Sequence, residues 1–176
     1  RDEGINTVAI TSVFSPVSDK MEREAMEQLA KTLPDVDFTL SSEIGRLGIL
    51  ERENAAIMNA SLRALSERTV GAFGRALTKV GLTCPYYITQ NDGTLMSRDF
   101  VQSYPVLTFA SGPTNSMRGA AFLSGVKNGI VADIGGTTTD VGVLIDGFPR
   151  ESAISVDVGS VRTNFRMPDV LAVGLG

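Results

Sequence analysis

Asp133 and Asp140 bracket the stretch Ile134-Gly135-Gly136-Thr137-Thr138-Thr139, and these residue types at this spacing suit phosphate chemistry. Backbone N–H groups of a glycine-rich turn form a concavity that holds anions, and the hydroxyls of Thr137, Thr138 and Thr139 add donors. Two carboxylates beside a phosphate repel it unless a cation intervenes. Asp133 and Asp140 therefore imply magnesium, held directly or through its waters. The bland alternative is an ordinary hairpin, since Gly-Gly followed by threonines is common turn chemistry.

Positioning such a bend requires two strands. The apolar run before Asp133 and the one after Asp140 supply them, giving a hairpin over 130–145 with the paired glycines expected to take the positive φ of a tight turn. Upstream, Phe109-Ala-Ser-Gly-Pro-Thr-Asn-Ser leads into a helix expected over 117–126. That places Ser111, Gly112 and Thr114 near a helix N-terminus, where free N–H groups favour anions; they read equally well as a loop and cap. Downstream, Asp146-Gly147 is a turn into a third strand of a meander expected over 148–156, then a mixed stretch to 168 and a short apolar run over 169–173.

Earlier in the chain, Thr7 to Phe14 reads as a strand, and a helix follows with Asp19 and Glu22 at capping-box spacing and Met21, Ala25, Leu29 and Leu33 on one face. A short strand over 36–40 completes a β-α-β unit, which points to parallel pairing. Residues 50–80 carry a helical pattern weakened by Gly71 and Gly74, so either a break or close packing is expected there. The charged run Glu51-Arg52-Glu53-Asn54 reads as a solvated first turn. Residues 85–89 look like another strand, closing in Gln90-Asn91-Asp92-Gly93.

Composition narrows the chemistry. Sixteen basic against twenty acidic residues give a net charge of −4, with no basic cluster in sequence, which argues against nucleic acid and anionic membranes as partners. No apolar run approaches the ~18 residues of a membrane-spanning helix, and the expected compartment is the cytoplasm. The single cysteine, Cys84, has apolar neighbours and reads as structural. Histidine is absent, which removes Ser-His and Cys-His catalysis and His-based zinc from this chain. None of the four lysines stands in a Walker-type phosphate loop.

The octapeptide Asp133 to Asp140 resembles the glycine-rich hairpin of the superfamily that includes actin, sugar kinases and chaperone ATPases, whose two ribonuclease H-like lobes clamp ATP and magnesium. Thr39-Leu-Ser-Ser-Glu-Ile-Gly, residues 50–62, Gln90-Asn-Asp-Gly-Thr-Leu-Met, Ala110-Ser-Gly-Pro and the hairpin occur in an order similar to that of the hydantoinase A and oxoprolinase family. This resemblance implies an α/β fold of ribonuclease H-like lobes, a mixed sheet with flanking helices. It also implies ATP-dependent opening or carboxylation of cyclic amides, lactams or ketones, with help from a hydantoinase B-like subunit or domain. Asp133 would hold magnesium, Gly135, Gly136, Thr137 and Thr138 would cradle phosphates, Asp140 would complete a catalytic polar floor, and Thr139, Ser111, Gly112, Gly174 and Gly176 join the candidate ATP-binding residues.

Family members carry an earlier Asp-x-Gly-Gly-Thr hairpin with no match before Asp133, and the glycine turn after Val173 is incomplete. The expectation is therefore an internal segment. Residues 1–129 would finish one lobe with a helical insertion, and 130–176 would begin the second. Exposed apolar patches are expected where the remainder belongs, with a homo-oligomer as one way of covering them. A sugar or acid kinase, an actin-like or chaperone-like conformational ATPase, and a non-catalytic interaction subunit are the alternatives.

Overall fold

A computed structural model describes residues 5–152 and 155–175. The chain forms two compact units, each gathered from separate stretches: Arg1–Tyr86, Arg98–Val106 and Ile154–Phe165 in the first, and Tyr87–Ser97, Leu107–Ala153 and Arg166–Gly176 in the second. Both mix helix and sheet.

In the first unit, β1 (Thr7–Ile10) pairs in parallel with β2 (Asp37–Leu40) across helix α1 (Lys20–Thr32), in the register Thr7↔Asp37 to Ile10↔Leu40. Strand β1 stops well short of Phe14. The reason is visible at Ser12, whose N–H donates to Glu22 Oε1 at 2.9 Å and whose carbonyl accepts from Arg52 Nη2 at 2.6 Å and from Ser15 Oγ at 2.9 Å. Side chains have taken the groups a strand would have used. The capping box also fails to form: Asp19 makes no cap bond and instead accepts from Arg23 Nε at 2.5 Å, while Glu22 is wholly buried. Met21 and Leu29, expected on the packed face of α1, are exposed.

Helix α2 (Ile49–Lys79) runs unbroken for 31 residues, so Gly71 and Gly74 do not divide it. Gly74 is a packing site. A Cβ there would lie 2.8 Å from the Tyr86 hydroxyl, which donates to the Val70 carbonyl at 3.2 Å. The expectation of a solvated first turn is also corrected: Arg52 is only 1% exposed. Its guanidinium donates to Ser41 Oγ (3.0 Å), the Arg46 carbonyl (3.2 Å) and the Ser12 carbonyl, and Ser41 in turn donates to Glu22 at 2.5 Å. A buried cation and a buried anion are thus joined through one hydroxyl, since neither tolerates burial without hydrogen bonds.

Farther along α2, Asn59 holds the unit together by donating to Thr39 Oγ1 (3.2 Å) and the Ser103 carbonyl (2.9 Å) and accepting from Val106 N–H (3.3 Å). Ser103 ends the short helix α3 (Arg98–Ser103). The stretch that reads as mixed in sequence contains a hairpin, β8 (Val156–Val158) with β9 (Val161–Thr163), turned through Gly159 and Ser160 at φ 58° and 67°. Asn164 then donates to the Leu47 carbonyl at 2.8 Å and accepts from Arg46 N–H at 3.2 Å.

In the second unit, β3 (Ile88–Thr89) and β4 (Leu95–Met96) form a small hairpin about Gly93. Helix α4 (Ser111–Ser124) lies against an antiparallel sheet made of β5 (Gly129–Ile134), β6 (Thr139–Ile145) and β10 (Val170–Val173) in the order β10-β6-β5. The third meander strand shrinks to β7 (Phe148–Pro149), which pairs with the end of β6. Its two-residue turn, Asp146 at φ 52° and Gly147 at φ 82°, fits the mirror-image turn that Asp-Gly favours. Met117, Ala121 and Leu144 form the core, flanked by Val131 and Val170.

Two consequences concern stability. A Cβ on Gly45 would meet Asn164 Oδ1 at 2.7 Å and Arg52 Cβ at 2.9 Å, both held in place. Gly45→Ala is expected to destabilise by about 1–3 kcal/mol through overpacking, measured by urea unfolding. Burial alone would raise the pKa of Glu22, but hydrogen bonds from Ser41 and from the amides of Ser42 and Ser12 outweigh it and hold the carboxyl below its ordinary 4.5. With the folded pKa below the unfolded one, this contribution is complete above about pH 4.5 and fades as pH falls through the folded value. Glu22→Gln is expected to lower stability at neutral pH and to flatten the acid side of the profile, read from unfolding curves at a series of pH values.

Candidate functional site

The hairpin closes through a four-residue loop, Gly135 to Thr138, in which Gly135 N–H donates to the Thr138 carbonyl at 2.9 Å. Neither Gly135 nor Gly136 adopts positive φ, contrary to the expectation for a tight turn. The loop is longer than a two-residue turn and does not need it. The glycines matter for clearance: a Cβ on Gly135 would stand 3.2 Å from the Thr138 carbonyl oxygen, and one on Gly136 would stand in open space, so the main chain there is bare to an approaching ligand. Gly135 to Thr138 are all exposed.

Register decides what faces what. Asp133 pairs directly with Asp140, and Ala172 of β10 lies on the other side of Asp140. Directly opposed residues of antiparallel strands share a face with Cβ atoms about 4.5–5.5 Å apart, so two carboxylates meet across the ladder, an arrangement unfavourable without a counterion. The next row on that face is Val131 and Gly142. Here α4 packs down, and a Cβ on Gly142 would come within 2.6 Å of Met117 Sδ. The carboxylates therefore stand just beyond the core, half-buried, at the loop end of the sheet.

Thr139 belongs to the opposite face, in a row with Ile134 and Val173. Its hydroxyl donates to the Leu175 carbonyl at 2.8 Å, which brings Gly174 beside the hairpin. Gly176 lies outside the described residues. Ser111 and Gly112 form the first turn of α4 rather than a loop before it, and among the described residues no hydrogen bond joins them to the hairpin. That helix begins at Ala110 in the left-handed conformation (φ 58°) without a side-chain cap. Thr114 points inward, donating to the Asn91 carbonyl at 3.0 Å. The structure thus gathers Asp133, Gly135 to Thr139, Asp140 and Gly174, while Ser111 and Gly112 open the helix that packs on the same sheet. Gly142 and Ala172 complete the carboxylate face. A glycine inside a strand signals close approach of a neighbour, so Gly142 was detectable in sequence, whereas Ala172 depends on register alone.

Among the described residues no three His, Cys, Asp or Glu side chains cluster to hold a metal ion. An all-protein cage is not what magnesium requires, since it is commonly held by one or two carboxylates together with water and substrate phosphates. The opposed pair of aspartates beside a bare glycine turn fits that demand.

The fold is a mixed α/β arrangement with a glycine-rich strand-turn-strand at one sheet end, and it recurs in larger proteins. The structure superposes with a TM-score of 0.81 on that of the ATP-dependent caprolactamase from Pseudomonas jessenii at 24% identity, covering 100% of this chain and 26% of that one. It superposes with a TM-score of 0.71 on nucleotide-free acetone carboxylase at 21% identity, covering 97% of this chain and 25% of that one. In sequence it is 25% identical to the acetophenone carboxylase gamma subunit of Aromatoleum aromaticum, over 99% of this chain and 25% of the relative. It is likewise 25% identical to the caprolactamase subunit alpha of Pseudomonas jessenii, over 80% and 21% respectively. Residues 52–176 match the hydantoinase/oxoprolinase family profile, and the chain belongs to that family. It spans about a quarter of the length of these curated relatives.

The opposed carboxylates generate a direct test. In metal-free buffer Asp140→Asn is expected to stabilise the protein by about 0.2–1 kcal/mol by relieving cross-strand repulsion. The same change should abolish any rise in melting temperature on adding magnesium; a full magnesium response in the variant would exclude the pair as its site.

Proposed function

We propose that this chain is a segment of an ATP-dependent cyclic-amide hydrolase of the hydantoinase/oxoprolinase type. The observation that carries the reading is the Asp133–Asp140 register at a glycine-rich strand-turn-strand, in a chain belonging to that family. In this reading the lobes are ribonuclease H-like, residues 1–129 complete the first with its helical insertion, and residues 130–176 open the second. The parallel β-α-β of the first unit and the antiparallel β5-β6-β10 sheet of the second support two such lobes, with α4, which packs on that sheet, going with the second. Among the described residues no helix is long and apolar enough to cross a membrane, in keeping with a cytoplasmic enzyme.

The bare main chain at Gly136 and the hydroxyls of Thr137 and Thr138 would bind the phosphate oxygens of ATP, while Gly135, whose N–H is taken by the Thr138 carbonyl, shapes the turn that presents them. Asp133 and Asp140 would hold magnesium, which when bound supplies charge neutralisation to the phosphates. Thr139 tethers the Gly174 turn beside the loop. The lactam carbonyl oxygen attacks the γ-phosphorus, the bond to ADP breaks with its electron pair leaving on ADP, and hydrolysis of the phosphorylated intermediate opens the ring and releases phosphate. Water attack belongs to a partner subunit or domain of the hydantoinase B type; the naming of two relatives as subunits supports such a partner.

The similarity to a carboxylase subunit favours a second reading, in which an enol oxygen is phosphorylated and the partner carboxylates. In the full-length protein, Asp133→Asn is expected to abolish magnesium-dependent ATP turnover while leaving the circular dichroism spectrum unchanged. Undiminished turnover would remove Asp133 from the mechanism. Residues 1–176 alone are expected to show no ring-opening activity.

A further inference from the structure

Away from the hairpin, the first unit carries a groove of about 580 Å³ between the C-terminal turns of α2, the segment that follows it and the start of α3. Arg75, Lys79 and Arg98 line it together with Thr83, Cys84 and the ring of Tyr86, and among the described residues no carboxylate does. The volume lies within the roughly 300–1,000 Å³ of small-molecule sites. Among the described residues none of the three cations takes part in an ion pair or a side-chain hydrogen bond, although the chain as a whole carries a net charge of −4.

The ordinary explanation for basic residues in a last helical turn is service to the helix terminus. That service is already supplied by backbone here. Val80 N–H donates to the Ala76 carbonyl (3.2 Å), Gly81 N–H to Thr78 (3.0 Å) and Leu82 N–H to Leu77 (2.9 Å), with Gly81 at φ 81°, which is the backbone capping expected of a left-handed glycine. Arg98, moreover, opens a different helix, where the dipole disfavours a cation. Three uncompensated cations from two helices converge on one concavity, and neither terminus accounts for all of them.

We propose that this groove is a binding site for a phosphate-bearing small molecule, distinct from the hairpin. The Arg75 and Arg98 guanidinium groups offer forked donors that match phosphate oxygens, Lys79 adds a point charge, and the Thr83 hydroxyl supplies a neutral donor. Tyr86 gives an apolar wall against which the rest of the ligand lies. All three cations are exposed, so their replacement leaves the packing of α2 intact.

Cys84, exposed in the groove wall, is the reporter. In the full-length protein, iodoacetamide alkylation of Cys84 is followed by peptide mass spectrometry with and without pyrophosphate, against potassium chloride at matched ionic strength. Pyrophosphate at ten times its dissociation constant is expected to slow labelling about tenfold, since occupancy leaves only the free fraction reactive. The double variant Arg75→Glu, Arg98→Glu should lose this protection, whereas Asp133→Asn should keep it. Equal labelling with and without pyrophosphate overturns the proposal, as does protection that survives in the double variant. Labelling that is slow without any added anion and accelerates in the double variant would show an acidic polypeptide segment seated there instead, which also overturns it.

Discussion

A guanidinium sealed from water must receive its hydrogen bonds from its surroundings, and the first unit is arranged about that demand at Arg52. Its three donor directions are met by the Ser12 carbonyl just beyond β1, the Ser41 hydroxyl that follows β2 and the Arg46 carbonyl ahead of α2. Each acceptor is thereby fixed, and with it the point at which a strand or helix stops. Glu22 supplies the balancing charge through Ser41. Gly45 has no side chain because Arg52 and Asn164 occupy the space. Buried ion networks add little net stability over apolar packing, yet breaking one is costly, so such a network acts chiefly to specify a single arrangement.

The hairpin of the second unit has the opposite electrostatic character. Asp133 and Asp140 face each other in register at the edge of a core formed by Met117, Ala121 and Leu144, and among the described residues no cation forms an ion pair with either. Glu22 and Arg52 are joined through Ser41 in the first unit, whereas the opposed aspartates of the second lie directly across a strand ladder from each other. An opposed carboxylate pair beside bare backbone is compatible with a phosphate-magnesium ligand, and the short β7 turn and α4 hold the sheet that carries it.

Exposed apolar surface accompanies this arrangement. Ile130, Ile134 and Leu171 stand on the face of the β5-β6-β10 sheet away from α4, and Phe122 and Leu123 on α4 itself are almost fully exposed. Contiguous exposed apolar faces mark interaction surfaces more often than solvent-facing ones.

Much was legible in the sequence because the signals were local. The β-α-β unit, the Asp146-Gly147 turn and the Asp133–Asp140 hairpin follow from apolar periodicity and turn chemistry, which depend on near neighbours. Family membership was legible too, from the order of the motif blocks. Other features required partners remote in sequence. Glu22 looked like a capping residue and Arg52 like a solvated helix start, because nothing in either neighbourhood reveals that Ser41 will stand between them. At Gly71 and Gly74 the sequence left a break and close packing both open, because only Tyr86, folding back on α2, decides for packing at Gly74. The hairpin divides in the same way. Its sequence alone supplied the groups suited to phosphate chemistry, whereas strand register decided that both carboxylates share one face and that Thr139 turns to the other, since register is set by pairing across the sheet.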